Sequence, residues 1–459
     1  MAAKKDKAVN KARIMAAEIV YEVMERGAFA NLALAKALRN SDLSAADRHL
    51  LTEIVNGTVR MIKHLDWVLE LFLHSPIKKQ NPCLLSILRT ALYQLMFLAK
   101  VPDYALVNDA VEISRQKMGD KMAGVSNAVL RSIIRKLDKI KYPDEPVSFY
   151  SIYYSHPEWL VKLWLDTFGT QACETLLAYN NSRSRVVLRC NPLKCSREEL
   201  IDKLGEEGVK AQLSPLTPWG IVLEDSPQPI AETASFKKGY FYIQNEASML
   251  AAAILNPPAG ERVLDLCCGV GGKTTQLAEY MNNQGEVLAV EFYAQKLELL
   301  RQNCQRLGLG IVKDLEKDIR TLNSKEVKAR YLLLDAPCSG WGVLNRRADA
   351  RWRKNQEEIN ELTRLQAQFI SHAAAMVEEQ GYLLYATCTI NQVENEEIIE
   401  GFLEQNQHFV LEGFSSKLSF FPLDKPDKAS ASRGMLTLMP GKYETDGMFY
   451  ALLRRKQFK

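Results

Sequence analysis

The chain is 459 residues long, with 47% hydrophobic and 25% charged residues and a formal net charge of +4. This composition excludes a disordered or fibrous protein, and the length suits roughly two to four domains of about 150 residues each. No run of about 18 apolar residues is present, so we expect no membrane-spanning helix. The mildly basic charge permits a nucleic-acid partner but is too small to indicate one.

Nine cysteines are scattered along the chain without a CxxC pair, a pattern that favours neither a disulfide framework nor a zinc site. The start of the chain is rich in alanine and lysine, and no apolar segment typical of a secretion signal follows it. We therefore expect a cytoplasmic protein with reduced cysteines and no bound metal ion.

The first third of the chain is predicted to be helical. Between residues 47 and 72, apolar side chains recur at spacings of three and four, which predicts a continuous helical stripe. Residues 84–98, 105–113 and 125–137 continue this pattern, with proline-containing loops between them. The expectation is a helical bundle over residues 12 to about 140.

A smaller region follows a break in the pattern. The charged, proline-containing segment 141–146 predicts a domain boundary. Beyond it, residues 185–191 and 220–223 have the pattern of strands, and residues 196–204 have that of a helix. Together they predict a small β-α-β piece.

From about residue 236 onward, short apolar strands alternate with helices. The predicted strands are 262–266, 287–290, 332–335 and 382–386, and the predicted helices between them include 295–307 and 358–379. This alternation is typical of a doubly wound parallel sheet, which binds ligands at the carboxyl ends of its strands. Two further strands are predicted at 435–440 and 448–454.

A glycine-rich loop at residues 267–273 follows the first of these strands. A nucleotide-binding P-loop would need glycine at Cys267, and a dinucleotide fingerprint starting at Gly269 would need glycine at Thr274. Both patterns fail by one residue. Because glycines let backbone amides approach a ligand closely, the loop still indicates a nucleoside-type cofactor without a pyrophosphate, such as S-adenosylmethionine.

Two acidic residues stand where such a cofactor would be held. Glu291 follows the second strand, about 20 residues beyond Gly271, where a carboxylate can accept hydrogen bonds from both ribose hydroxyls. Asp318 falls in the loop expected after the third strand. The glycine-rich loop and Glu291, together with two cysteine motifs further along the chain, favour such a cofactor.

Two cysteines carry the strongest signal for chemistry. Cys338 lies in an Asp-Ala-Pro-Cys-Ser-Gly segment at the end of one predicted strand, and Cys388 lies between two threonines at the end of another. Two thiols at such strand ends suggest covalent catalysis. One thiolate can attack an electron-poor ring, and the other can serve a second step.

At these motifs the chain resembles the RNA 5-methylcytosine methyltransferases, most closely their RsmB (Sun/Fmu) branch, which acts on small-subunit (16S) ribosomal RNA. The resemblance extends along nearly the whole chain. An Asn-Gly-Thr-Val-Arg segment at 56–60 and a Gly-Val-Ser-Asn-Ala-Val-Leu-Arg segment at 124–131 are similar to a NusB-like RNA-binding domain. Segments at 155–160 and 244–248 resemble signatures on either side of a small linker subdomain.

The resemblance implies a multidomain fold. Residues 1–143 would form an all-α NusB-like RNA-binding bundle, residues 144–235 a small α+β linker subdomain for RNA recognition, and residues 236–459 an α/β Rossmann-like methyltransferase domain. It also implies S-adenosylmethionine as the cofactor and methylation of carbon 5 of a cytosine in small-subunit ribosomal RNA through a covalent cysteine–cytosine intermediate. RNA is the expected partner, and we expect a monomer.

The same resemblance assigns roles to individual residues. Cys388 would be the nucleophile, Cys338 would assist product release, and Asp335 and Lys273 would support the chemistry at the base. The expected cofactor-binding residues are Cys267, Cys268, Gly269, Val270, Gly271, Gly272, Lys273, Glu291, Asp318 and Asp335.

The loop departs from the family's usual Cys-Ala-Ala-Pro-Gly-Gly-Lys at Cys268, Gly269 and Val270. The Gly-Gly-Lys part is intact, so we expect weaker cofactor binding rather than its loss. Alternatives remain: the same chemistry on transfer RNA, or a non-enzymatic RNA-binding factor, although the latter has no use for two thiols at strand ends. The basic residues at 346–353 are expected to form either a solvated face or an RNA contact.

Overall fold

The computed structural model describes residues 9–98, 101–324 and 326–457. Its contacts divide the chain into two compact units. The helical unit extends to Ser182 and also includes Leu344–Arg353, and the sheet unit comprises Arg183–Val343 and Lys354–Lys459. In the described parts of the chain, every helix is too short or too polar to cross a membrane.

The helical unit is built of helices packed around an apolar core. Its helices are α1 (Lys11–Arg26), α2 (Ala30–Arg39), α3 (Ala45–Arg60), α4 (Ile62–Glu70), α5 (Pro82–Phe97), α6 (Asp103–Met118), α7 (Asp120–Lys136), α8 (Pro146–Tyr153) and α9 (Glu158–Asn181). Buried leucines such as Leu65, Leu88 and Leu92 lie in the core. The prediction of an all-helical N-terminal region is confirmed. Residues 144–182 pack with these helices, while the three domain ranges expected above stay a prediction.

The stripe predicted over residues 47–72 is divided into two helices. Met61 separates α3 from α4 because its dihedral angles, φ −95° and ψ 16°, are not helical. Ile54 on α3 then packs in one apolar cluster, whereas Leu65 on α4 packs in another. The helical prediction for this segment is confirmed. The break at Met61 has no signal in the spacing, because apolar residues recur in the same way on both sides of it.

Buried polar contacts hold the segment Leu344–Arg353 in the helical unit. The Arg351 guanidinium donates to the backbone carbonyls of Ser155 and Asn180, at 3.1 and 2.8 Å. The Trp352 indole donates to the carbonyl of Val59 at 2.9 Å. Because Arg351 is only 1% exposed, its assignment to a solvated face or a phosphate contact was wrong.

The sheet unit begins with a small antiparallel sheet. Its strands are β1 (Val186–Cys190), β2 (Lys210–Leu213), β3 (Gly220–Asp225) and β4 (Phe241–Ile243), in the order β2-β3-β1-β4, with helices α10 (Arg197–Glu206) and α11 (Ala234–Lys237). The predicted strand-helix-strand piece corresponds to β1, α10 and β3. The other two strands were missed because β2 is largely exposed and β4 has only 3 residues, so neither produces a long apolar run.

The large sheet of this unit has a parallel centre. Its strands are β5 (Arg262–Leu266), β6 (Glu286–Glu291), β7 (Val312–Glu316), β8 (Ala329–Asp335), β9 (Val377–Thr387), β10 (Phe409–Leu411), β11 (Met435–Leu438) and β12 (Met448–Arg455). The order is β10-β12-β9-β8-β5-β6-β7, and β11 also pairs with β12. Strands β9 to β7 in that order are parallel, whereas β10, β11 and β12 pair antiparallel. The α/β prediction is confirmed, with a mixed rather than wholly parallel sheet.

Helices and apolar side chains cover both faces of the large sheet. The helices are α12 (Glu246–Leu255), α13 (Gly272–Tyr280), α14 (Ala294–Leu307), α15 (Gln356–Met376), α16 (Glu396–Gln405) and α17 (Lys425–Ser432). Leu333 and Leu384 belong to one apolar cluster, and their neighbours Leu332 and Leu383 belong to another. The predicted helix 358–379 ends early because Val377 already pairs with β8.

Candidate active site

The candidate residues lie at the carboxyl ends of adjacent parallel strands. Cys388 follows β9, Asp335 ends β8, Lys273 lies just after the loop that follows β5, Glu291 ends β6 and Asp318 follows β7. Because these strands are neighbours in the order β9-β8-β5-β6-β7, residues far apart in the chain meet at one edge of the sheet.

The two cysteines are in direct contact. The Sγ atoms of Cys338 and Cys388 are 3.4 Å apart, within hydrogen-bond distance for sulfur. The hydrogen bond to Cys388, together with burial, raises the pKa of the Cys338 thiol well above its usual value. Cys338 therefore keeps its proton at neutral pH, and either sulfur can be the donor in the contact with Cys388.

A partly buried ion pair lies beside the cysteines. The Lys273 ammonium is 2.6 Å from Oδ2 of Asp335. Burial lowers the pKa of Lys273, but the carboxylate of Asp335 and the nearby Cys388 raise it by more, so the net shift is upward. Lys273 thus stays protonated and adds positive charge next to the thiol pair.

A cleft of about 350 Å³ opens between the ends of β5, β6, β7 and β8. Its walls combine carboxylates, three basic side chains and apolar groups. The lining includes Cys267, Glu291, Phe292, Tyr293, Lys296, Lys317, Asp318, Arg320, Asp335, Leu365 and Phe369. Glu291 is held in place because its carboxylate accepts hydrogen bonds from the backbone of Gly269 at 3.1 Å and Phe292 at 3.0 Å. This combination of acidic and apolar groups suits a nucleoside.

Asp318 contributes a second fixed carboxylate to the cleft. It accepts hydrogen bonds from the backbone and the guanidinium of Arg320, the latter at 2.6 Å. These hydrogen bonds lower the pKa of Asp318, so the group is ionised at neutral pH. Both Glu291 and Asp318 are therefore held in fixed orientations in the wall of the cleft.

Comparison with known proteins places this architecture in a family. A profile described as 16S rRNA methyltransferase RsmB/F matches residues 252–454, the NusB family matches 10–135, and a ferredoxin-like domain of RsmF/B-like methyltransferases matches 156–231. A probable ribosomal RNA small subunit methyltransferase B from Synechocystis is 35% identical over 97% of this chain and 99% of its own length. The chain belongs to the RsmB/F methyltransferase family.

Further relatives agree with this membership. The probable ribosomal RNA small subunit methyltransferase B of Bacillus subtilis is 33% identical over 97% of this chain and 98% of its own length. The crystal structure of PH0851 superimposes with a TM-score of 0.81 and 28% identity, covering 98% of this chain and 99% of that one. NSun6 from Pyrococcus horikoshii shares the fold over 66% of this chain and 99% of its own, with a TM-score of 0.59 and 24% identity.

The glycine-rich loop of this family member has left-handed backbone conformations, which favour glycine. Cys267, Gly269 and Gly271 have φ values of 64°, 59° and 89°, in the left-handed region. At Gly271 a Cβ atom would lie 2.2 Å from a methyl group of Leu300. At Gly269 no atom would lie within 4 Å, so this departure from the RsmB/F pattern does not arise from crowding.

Gly271→Ala is expected to weaken cofactor binding by about 10-fold or more, because the added methyl group must displace Leu300 and the left-handed backbone is strained for alanine. Isothermal titration with S-adenosylmethionine measures the effect. Gly269→Ala is the matched control, since it carries the backbone strain without the collision. Equal affinities of the two variants would contradict the steric explanation.

Asp265, within β5, is an acidic residue near the cleft that was not predicted. It is fully buried, and its Oδ2 accepts a hydrogen bond from the Thr274 hydroxyl at 2.6 Å. Its Oδ1 has no hydrogen-bond partner among the described residues. Burial raises the pKa of Asp265 to about 7, against the opposing effect of Thr274. A lone carboxylate in an otherwise apolar strand was the sequence signal that could have identified it.

Asp265→Asn is expected to change how stability depends on pH. The folded-state pKa lies above the usual value of 3.8, so the folded protein binds more protons than the unfolded chain in this interval. The wild type should therefore lose stability as the pH rises from about 4 to about 7, relative to the variant. Urea unfolding of both proteins across this range measures the difference. If the free energy of unfolding depended on pH in the same way in both proteins, a raised pKa of Asp265 would be contradicted.

Proposed function

We propose that this chain transfers a methyl group from S-adenosylmethionine to carbon 5 of a cytosine in small-subunit ribosomal RNA, through a covalent adduct with Cys388. The observation that carries this proposal is the contact between the Cys338 and Cys388 thiols beside Asp335 at the strand ends. The relatives from Bacillus subtilis and Synechocystis are probable ribosomal RNA small subunit methyltransferases B, which supports ribosomal RNA as the substrate.

The residues around the cleft fit S-adenosylmethionine. Glu291 and Asp318 offer fixed carboxylate oxygens to the ribose and adenine, and Phe292 and Phe369 offer apolar surface to the ring. The buried, unpaired Oδ1 of Asp265 is a further acceptor beside the glycine-rich loop. When bound, the cofactor supplies an electrophilic methyl group. Cys267 to Lys273, with Asp335, complete the proposed binding set.

Cys388 begins the reaction in this proposal. Carbon 5 of cytosine is too weak a nucleophile to take a methyl group unaided, so the Cys388 thiolate first forms a bond to carbon 6. The electron pair of the carbon 5–carbon 6 double bond moves to carbon 5. The Asp335 carboxylate accepts a hydrogen bond from the amino group of the ring, and the Lys273 ammonium beside it stabilises the negative charge that develops. Carbon 5 then bonds to the methyl group as the methyl–sulfonium bond breaks.

Cys338 serves the second half of the reaction. The proton on carbon 5 must leave to a base, and the carbon 6–sulfur bond must break to return the Cys388 thiolate. Once Cys388 is bonded to the ring, it no longer accepts the hydrogen bond that raises the pKa of Cys338. We infer that Cys338 becomes easier to ionise at this stage and assists removal of the proton.

We also propose a role for each of the three expected domains. The helical residues 1–143 would capture RNA, residues 144–235 would take part in its recognition, and residues 236–459 would carry out the chemistry, with the protein acting as a monomer. The target base must leave any helix before Cys388 can reach carbon 6, so a single-stranded or flipped-out cytosine is expected.

The test is transfer of a labelled methyl group from S-adenosylmethionine to protein-free small-subunit ribosomal RNA, followed by digestion to nucleosides. Label in 5-methylcytidine supports the proposal. Label only in transfer RNA offered in parallel would keep the chemistry and overturn the substrate. Absence of label from every RNA would favour a binding factor.

Lys273→Met is expected to lower the methyl-transfer rate by about 100-fold or more, because it removes the cation beside Asp335 and the thiol pair. Alkylation of Cys388 by iodoacetamide at neutral pH should slow as well, since the thiolate loses its electrostatic support. Peptide mapping after timed alkylation measures this. Lys296→Met, at a surface position near Glu291, is the matched control and should alkylate at the wild-type rate.

A further inference from the structure

Glu394 is a buried carboxylate that contacts the loop carrying Cys338. It is fully buried, in a 3-10 turn that follows β9. Its Oε1 accepts a hydrogen bond from the backbone N–H of Ser339 at 2.8 Å, and its Oε2 accepts one from the Ser339 hydroxyl at 2.5 Å. Since Ser339 is the residue after Cys338, both carboxylate oxygens hold this loop.

The same carboxylate also reaches the loop carrying Cys388. The Thr389 hydroxyl lies 3.4 Å from Oε2 of Glu394 and 2.7 Å from the Ser339 hydroxyl. The Asn391 amide donates to Oε2 at 3.0 Å. Glu394 therefore bridges the residue after Cys338 and the residue after Cys388, and so connects the backbones that carry the two thiols.

The donors around Glu394 are neutral groups with fixed directions. They comprise a backbone amide, hydroxyls, and the side-chain amides of Asn391 and Gln366, the latter donating to Oε1 at 3.2 Å. Such a buried network is rigid, because each donor would lose its partner if the carboxylate moved. The hydrogen bonds described for Glu394 go to the two loops, so it can act through the position of these loops, and its charge also raises the pKa of the Cys338 thiol.

We propose that Glu394 is the positioning residue for product release: it holds the Cys338 loop against the Cys388 loop so that the second thiol stays beside the covalent adduct. This inference rests on the proposed covalent mechanism. Attack by Cys388 does not use the Cys338 thiol, and Asn395 also holds the Cys388 loop through the hydroxyl of Thr387 and the carbonyl of Thr389. Release requires both loops, so it is the step that depends on Glu394.

Glu394→Gln is the sharpest test, because glutamine has the same shape but one acceptor oxygen in place of two. Its amide nitrogen would face either the Ser339 N–H or the Asn391 amide, both of which are donors. In single-turnover reactions with ribosomal RNA, we expect adduct formation within about threefold of wild type and release slowed by about 10-fold or more. Denaturing gels sampled over time measure both steps.

Controls separate positioning from general stability. Glu246→Gln alters another fully buried glutamate of the sheet unit, which accepts a hydrogen bond from Ser214, and it should not change the ratio of the two rates. Ser339→Ala removes one donor to Glu394 but leaves Cys338 in place, and it should slow release in the same direction. Equal slowing of formation and release in Glu394→Gln would overturn the proposal.

A measurement without RNA tests the same geometry independently of the covalent mechanism. Diamide accepts two electrons and two protons from neighbouring thiols and leaves a disulfide. In wild type, Cys338 and Cys388 should form this bond rapidly, because their sulfurs are 3.4 Å apart. Slower bond formation in Glu394→Gln supports the proposed position of the loops, and an unchanged rate overturns it. Failure of the covalent mechanism would instead appear as absence of any RNA adduct in Cys338→Ala.

Discussion

Cys388→Ala is expected to lower methyl transfer by at least about 10⁴-fold, because without the thiolate carbon 5 of cytosine has no route to sufficient nucleophilicity. Cys388 follows β9, where its sulfur lies 3.4 Å from that of Cys338 and Lys273 supplies nearby positive charge. Removing a partly buried sulfur costs little stability, so the folded protein should remain available for assay. Transfer of labelled methyl groups to ribosomal RNA under single-turnover conditions measures the loss.

The matched control for this variant is Cys304→Ala. Cys304 is a buried thiol in the same apolar cluster of the sheet unit, and it lies outside the cleft. Its replacement should leave the rate within about threefold of wild type. Retention of transfer by Cys388→Ala, at a rate near that of Cys304→Ala, would exclude Cys388 as the nucleophile.

Cys338→Ala is expected to trap the enzyme on its RNA. Cys388 can still attack carbon 6, and methylation can follow, but the thiol that assists proton removal is absent. The adduct should therefore accumulate to a large fraction of the enzyme, whereas wild type should show little at steady state. A band that resists denaturation and disappears with ribonuclease treatment identifies the adduct.

The two cysteine variants together distinguish the roles. The proposed assignment requires an adduct in Cys338→Ala and none in Cys388→Ala or in the double variant. The reverse pattern, an adduct in Cys388→Ala only, would exchange the roles of the thiols. Adding S-adenosylhomocysteine in place of the methyl donor should show whether Cys338→Ala stops before or after methylation.

The predictable parts of the fold are those in which local pattern and burial agree. β8 and β9 were predicted because central parallel strands are apolar on both faces. β10, with only 3 residues, has no such pattern. The break at Met61 was missed because helical spacing continues through it, and the end of α15 was missed because pairing with β8 overrides helix propensity at Val377.

The candidate site also contains residues that the sequence predicted and residues that it did not. The strand-end rule and the resemblance both pointed to Asp335, Cys338 and Cys388, since each follows a strongly apolar strand. Glu394 was missed because a single acidic residue has no spacing that marks it, and the one sequence signal of Asp265 is a carboxylate within a largely apolar strand. Their importance comes from burial and from hydrogen bonds to Thr274 and Ser339, which no local pattern contains.

Sequence alone was sufficient for the helical and α/β character of the chain and for the identity of the residues that meet at the sheet edge, because apolar periodicity and motif chemistry are local properties. Tertiary structure decided the 3.4 Å contact between Cys338 and Cys388 and the placement of Leu344–Arg353 in the helical unit. The thiol contact depends on strand order, because β8 must lie beside β9. The placement of Leu344–Arg353 depends on long-range packing, because Arg351 donates hydrogen bonds to the carbonyls of Ser155 and Asn180. Such pairings are set by the free energy of the whole fold rather than by neighbouring residues.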